Sequence, residues 1–228
     1  MKRPVILITG GPAYDPLFRK PSRMLNKTYT AAVTAAGGIP VMDLYEDAFE
    51  DYIALADGCI FTGTHEFTPD AKLSLYPMQV ERITREHKMM RAFMQSGKPI
   101  FAICQGFQQF NTALGGEIEG DFRLKLGVEH NRTVHTVTLK EGSLLHRLYG
   151  NEMTVNSLHN VRVTTLAPDL IPTAISPDGV VEAFEHKSYP VFGFQFHPER
   201  MRGDFPTPPI APNTDPLFDE LITMCQQK

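Results

Sequence analysis

The feature that most constrains this chain is a repeated alternation in its first half. Short apolar runs are each followed by an amphipathic stretch that stops at glycine. Pro4–Thr9, Ile39–Leu44, Gly58–Gly63 and Lys98–Cys104 read as buried strands. Arg23–Gly37, Gln79–Gly97 and Phe107–Gly116 read as the helices between and after them. Strands alternating with helices imply an α/β fold, a mainly parallel sheet covered on both faces. The second half changes character. Arg132–Lys140, Met153–Leu166, Leu170–His186 and Tyr189–Glu199 read as strands joined by turns, with Ser176–Gly179 (SPDG) a turn signal. This half is expected to be an antiparallel β extension that rejoins the main sheet. A Pro-rich loop (Arg202–Pro216) and a closing helix (Asp215–Gln227) complete a single domain over residues 1–228.

The bounds agree with that outline. A chain of 228 residues with 42% hydrophobic content can bury a substantial core. A net charge of −4 and no long basic run argue against a nucleic-acid partner. The apolar run Val5–Ile8 is too short for a signal peptide, and no stretch is long enough to span a membrane. Three cysteines without framework spacing fit free thiols in a reduced, cytoplasmic setting.

The strand Lys98–Cys104 ends on a thiol and is followed at once by Gln105-Gly106 and a helix. In open α/β sheets, functional groups gather at the carboxyl ends of strands. A glycine two residues after the thiol removes a Cβ where strand must bend into helix. That is the design of a nucleophile elbow, with the next backbone N–H aimed at a substrate carbonyl. Spacing alone leaves a second reading open, a small buried residue capping a core strand. Cys59 and Cys225 are read that way, as packing.

A thiolate nucleophile needs a base, and the base an orienting group. Among eight histidines, His65, His87, His130, His135, His146 and His186 sit in loop or surface-like contexts. His197 follows an apolar run, and Glu199 comes two residues later across Pro198. Pro198 favours an extended His197, which can set carboxylate and imidazole on one side. A histidine and a glutamate merely flanking a proline turn is the other reading of that tripeptide.

The blocks YTAAVTAAGGIPV, FTGTHEFTP, GKPIFAICQGFQQFNTALGGEI, VNSLHN, SPDGVVEAFE and GFQFHPE, taken in this order, resemble the class I glutamine amidotransferase-like superfamily. Within it the chain looks most like the gamma-glutamyl hydrolase branch, the gamma-glutamyl-gamma-aminobutyrate hydrolase-like proteins. The resemblance implies a flavodoxin-like α/β fold. It also implies Cys104 as nucleophile, His197 as general base and acid, and Glu199 as orienting carboxylate. Oxyanion donors would be the Gln105 N–H and one from the turn at Gly63 or Thr64. Gln108, Ser157, His159 and Glu66 match positions that line or meet the substrate, although Ser157 and His159 also read as a strand-end turn. The chain departs from the branch at Gln105, often Arg; at Thr64, within a usual Gly pair; at Arg82-Ile83, usually Arg-Asp; and at Val161, usually Gln.

The implied activity is hydrolysis of a small gamma-glutamyl amide through a glutamyl thioester on Cys104. Two other functions stay open: a glutaminase that feeds ammonia to a separate synthetase, and a non-catalytic binding protein on the same fold. No cofactor is expected, and no metal-ligand cluster of suitable spacing appears in the sequence. The expected partner is the small gamma-glutamyl substrate, without nucleic acid or membrane, and with a homodimer left open.

Overall fold

The apolar runs of the first half form neighbouring strands, as their alternation with helices requires. The computed structural model describes residues 2–15, 17, 20–43, 49–64, 69–121, 127, 129–202 and 212–227. The first half holds β1 (Val5–Ile8), β2 (Gly11–Asp15), β3 (Lys20–Met24), α1 (Lys27–Ala35), β4 (Ile39–Met42), α2 (Phe49–Leu55), β5 (Gly58–Phe61), α3 (Pro69–Gln95), β6 (Ile100–Ile103) and α4 (Gln105–Ala113). The second half holds β7 (Glu117–Gly120), β8 (Asn131–Leu139), α5 (Leu144–Tyr149), β9 (Glu152–Leu158), β10 (Val161–Thr165), β11 (Leu170–Ile175), β12 (Val181–His186), β13 (Val191–Phe194) and α6 (Asp215–Gln226).

Among the described residues a nine-stranded sheet runs in the order β4-β1-β5-β6-β13-β12-β11-β8-β9. Strands β4, β1, β5, β6 and β13 are parallel neighbours. From β13 through β12, β11 and β8 to β9 the pairing is antiparallel. The extension therefore rejoins the main sheet at β13. Register there decides where the site forms. Ile103 of β6 pairs with Phe194 of β13, so the two strands end side by side. Residues just beyond those ends, Cys104 and Gln195–His197, leave the sheet at one edge.

Alternation along each strand loads both faces. Ile6, Ile8, Phe101 and Ile103 share one core with Val33 of α1 and Leu217, Phe218 and Leu221 of α6. Leu7, Cys59, Ile100 and Ala102 share the other with Met89, Met90 and Phe93 of α3 and Phe107 and Phe110 of α4. Each such fully buried large side chain contributes about 1.5–3 kcal/mol. The strand ends that carry the site are thus anchored in both cores.

Several boundaries differ from the sequence reading. Helix α1 starts at Lys27, not Arg23, because the Asn26 side chain accepts the Thr28 N–H and caps the helix there. The residues before it are used in the β2–β3 hairpin. Helix α3 starts ten residues earlier than Gln79 and carries Pro77 within it. Strand β10 pairs with β7 outside the main sheet. Most of the Pro-rich loop, residues 203–211, lies outside the described residues. No described helix is long and apolar enough to cross a membrane, and the three cysteines form no disulfide.

Candidate active site

Strand β6 stops at Ile103 and α4 begins at Gln105, so Cys104 alone makes the bend. Its φ of 53° and ψ of −104° are backbone angles that L residues rarely adopt. Strain of this kind costs about 1–3 kcal/mol and persists only where the surroundings enforce it. Here they do. The Cys104 N–H donates to Phe194 O at 2.7 Å, and Cys104 O accepts from the Gln108 N–H at 3.1 Å. Gly106 permits the close approach to β5: a Cβ there would lie 2.3 Å from the carbonyl oxygen of Phe61. The thiol is thereby held at the N-terminus of α4, whose dipole favours negative charge.

His197 leaves β13 beside it. Its Nδ1 lies 2.8 Å from Glu199 Oε1, and both residues are buried. Its backbone is clasped by one side chain: Asn156 Oδ1 accepts the His197 N–H at 2.8 Å, and Asn156 Nδ2 donates to His197 O at 2.9 Å. Burial pulls the imidazole pKa down, but the negative charges of Glu199 and Cys104, with hydrogen bonds to both, outweigh it and push it up to about 10.

The end of β5 closes the third side. A Cβ on Gly63 would meet His197 Cε1 at 2.9 Å and Cys104 Cβ at 3.3 Å. The Gly63 N–H donates to the Tyr29 hydroxyl at 3.1 Å. Burial, then the charge of Glu199, keeps that phenol well above its ordinary pKa, hence neutral. From α3, the buried Arg82 donates to Thr62 O (2.9 Å), Gly63 O (3.2 Å) and Gln105 Oε1 (3.1 Å). Its Nε is paired with Glu86 at 2.8 Å. Gln105 is accommodated here as a neutral acceptor for Arg82. Thr64, another departure, is not among the described non-glycine residues with positive φ, so it carries no such strain.

A cleft of about 450 Å³ opens over this elbow, and Thr64, Cys104, Gln105, Gln108 and His159 border it. That volume suits a small ligand. Gln108 donates through Nε2 to Gln195 Oε1 (3.0 Å) and Val161 O (3.3 Å). Ser157 is not a cleft residue: it is fully buried and its hydroxyl donates to His130 O at 2.7 Å. Glu66 lies outside the described residues. The sequence alone assigns no role to Tyr29, Arg82 or Asn156, although Tyr29 and Asn156 stand in matching blocks and Arg82 at a departure. His130 and His135 are not in surface-like settings: with His159 they surround the buried Glu182.

The Peptidase C26 family model matches residues 4–199. The chain belongs to this family. Peptidase C26 contains glutamine amidotransferase-like hydrolases, and the relatives agree. The chain is 30% identical over 235 residues to gamma-glutamyl-gamma-aminobutyrate hydrolase of Escherichia coli O157:H7, covering 90% of this chain and 87% of that one. It is 31% identical over 189 residues to protein NtpR of Enterococcus hirae, covering 75% and 79%. The solved structure of a glutamine amidotransferase from Thermotoga maritima superposes with a TM-score of 0.61 at 13% identity, covering 87% and 77%. At that identity the likeness speaks for the fold alone.

Proposed function

We propose that this Peptidase C26 protein hydrolyses the gamma-glutamyl amide bond of a small gamma-glutamyl compound, with Cys104, His197 and Glu199 as its catalytic residues. One observation carries the reading. A cysteine held at φ 53° on a strand–helix bend faces a cleft beside a buried His197–Glu199 pair. A packing cysteine needs none of this.

The Cys104 thiolate attacks the side-chain carbonyl carbon of the glutamyl group. The developing oxyanion meets the Gln105 N–H at the start of α4 and a second donor from the turn after β5. Since the Gly63 N–H is already given to Tyr29, the Thr64 N–H is assigned that second role. Loss of one such donor typically costs about 100- to 1,000-fold in kcat. His197, cationic at neutral pH, protonates the leaving amine, and the C–N bond breaks. It then takes a proton from water, which hydrolyses the glutamyl thioester and releases glutamate and the thiol. Glu199 orients the ring and balances its charge. Arg82 holds the Thr62 and Gly63 carbonyls, and so the two peptide planes that carry the Gly63 N–H, given to Tyr29, and the Thr64 N–H, turned to the reaction. His159 and Gln108 border the substrate.

Gamma-glutamyl-gamma-aminobutyrate is the first substrate to try, on the strength of the Escherichia coli relative. Val161 and Gln105 depart from that branch's pattern, so the amine is best found with a panel. Amine or ammonia release from glutamine, gamma-glutamyl-gamma-aminobutyrate and other gamma-glutamyl amides should be measured for wild type and Cys104→Ala. Cleavage of one amide, lost in the variant, is expected. Slow cleavage of glutamine alone would point to a synthetase partner instead. No cleavage, with Cys104 no more reactive than Cys59, would leave a binding protein.

A further inference from the structure

The antiparallel half contains a second buried constellation, of which only His159 borders the cleft described above. Glu182, on β12, is fully buried. Its Oε1 lies 3.1 Å from His130 Nδ1, 3.3 Å from His135 Nε2 and 3.3 Å from His159 Nε2. His130 Nδ1 and His159 Nε2 are themselves 3.3 Å apart. The four side chains come from four segments: the residue before β8, β8 itself, the β9–β10 turn, and β12.

The outer contacts set the direction of the rings. His130 Nε2 lies 2.8 Å from Asp178 Oδ2, and His159 Nδ1 lies 2.9 Å from Val161 O. A ring nitrogen that donates outward to a carboxylate or carbonyl turns the lone pair of the other nitrogen inward. Two ring nitrogens and a carboxylate oxygen then converge, and either shared protons or a cation must lie between them. The angles agree. Despite the short distances, neither oxygen of Glu182 is reached along an N–H···O line, and the same holds for both nitrogens of His135. His130 Nδ1 and His159 Nε2 do meet in hydrogen-bond geometry, whereas Glu182 and His135 aim past their neighbours, as ligands of a common point do.

The spacing identifies the kind of cation. With bonds of about 2.0–2.1 Å, the ligand atoms of a tetrahedral zinc ion lie about 3.3–3.4 Å apart. The distances from Glu182 Oε1 fall within a few tenths of that, and the His130, His135 and Glu182 ligand atoms all lie within 4.8 Å of one another. Imidazole with carboxylate is also a ligand set for Zn2+ rather than Mg2+ or Ca2+. The His135 side chain is 16% exposed and offers the way in.

We propose that this cluster binds one divalent transition-metal ion, Zn2+ by its ligand set, through His130 Nδ1, His135 Nε2 and a Glu182 carboxylate oxygen, with His159 packed beside them. Three protein ligands leave one position of the tetrahedron to water. The ion ties β8 and β12 together behind the wall that His159 presents to the cleft. The site stands independently of the reaction assigned to Cys104.

The test uses Cys104→Ser protein, so that metal held by the thiol and His197 does not count. After stripping with a chelator, Zn2+ is titrated by competition with a chromophoric chelator, and Co2+ by its visible absorption. One equivalent per chain is expected, with the intense bands of tetrahedral Co2+ and a rise in Tm on loading. Glu182→Gln and His135→Gln should abolish stoichiometric binding. Asp178→Asn, which removes the partner of His130, should weaken it about 10- to 100-fold. His135→Gln, at the exposed edge, carries the test where the buried substitution fails to fold. Absence of tetrahedral Co2+ bands, or Zn2+ binding unchanged in His135→Gln, would overturn the proposal and leave the cluster bridged by protons.

Discussion

Two of the three cysteines belong to neighbouring strands of one sheet, one within its strand and one just past the end. Cys59 sits within β5 and pairs in register with Ile100, while Cys104 comes just after the end of β6. Both are buried, yet they are placed for opposite ends. Cys59 has ordinary strand surroundings on every side, and burial, followed by the charges of Asp43 and Glu86, pushes its thiol well above the usual pKa. Cys104 stands four residues beyond Ile100, on a strained bend, with a cationic imidazole and a helix N-terminus beside it. The difference is one of position on the strand. A thiol in mid-strand is core, and the same thiol at the elbow has a partner, a field and a cleft.

The largest effect should come from erasing the elbow thiol. Cys104→Ala is expected to lose about 10⁴-fold or more in kcat/KM, measured by amine release. Glu199→Gln follows, with a loss of about 100- to 10,000-fold, because the imidazole loses its orienting charge. The pH profile sharpens this pair. His197 keeps its proton up to about pH 10, so the alkaline limb of kcat/KM should lie near there. Removing the Glu199 charge takes away a cause of the raised pKa, so the limb should move to lower pH. The linkage to stability has the same sign. A pKa raised from 6.5 to about 10 stabilises the fold fully below 6.5, and that contribution is lost as pH rises through 10. Denaturant titrations of wild type and Glu199→Gln across that window should converge at its alkaline end.

Gly106→Ala attacks the bend itself. The new Cβ must displace the Phe61 carbonyl, at a cost of about 1–3 kcal/mol in stability and with a lowered kcat. Arg82→Lys should lower kcat by up to about 100-fold through displaced peptide planes, while iodoacetamide still labels Cys104 at its normal rate. Equal losses in labelling and turnover would instead place Arg82 in control of the thiol. The smallest effect is expected at Cys59→Ala, about 1 kcal/mol of stability and unchanged turnover. Native labelling should mark Cys104 long before Cys59.

The positions of the two thiols on their strands were legible in the sequence because they are local, while the role of Cys104 was left open by spacing alone. Gly106 follows Cys104 by two residues, and Cys59 lies inside an apolar run with glycines at both ends. The sheet was legible for the same reason, since each strand shows its own apolar run and its own stop. Helix ends were less so: the Asn26 cap and the β2–β3 hairpin compete for residues that also fit a helical pattern. Contacts made across long stretches left no local signal. Asn156 reaches His197 across 41 residues, and Tyr29 reaches Gly63 across 34. Of the histidines around Glu182, His130 and His135 looked unremarkable for that reason. Each sits in an ordinary strand or turn, and only the pairing of β8 with β9 and the return through β12 brings them together.

Arg82 has a bearing on how this fold could be rebuilt. It belongs to a helix outside the sheet, yet it holds the peptides after β5 and the side chain after the thiol at once. A designer grafting the cleft of one relative onto another would tend to move the loops and keep the helix. In this chain α3, the turn after β5 and Gln105 form one transferable piece, and a graft that divides them would carry the reacting groups without the frame that aims them.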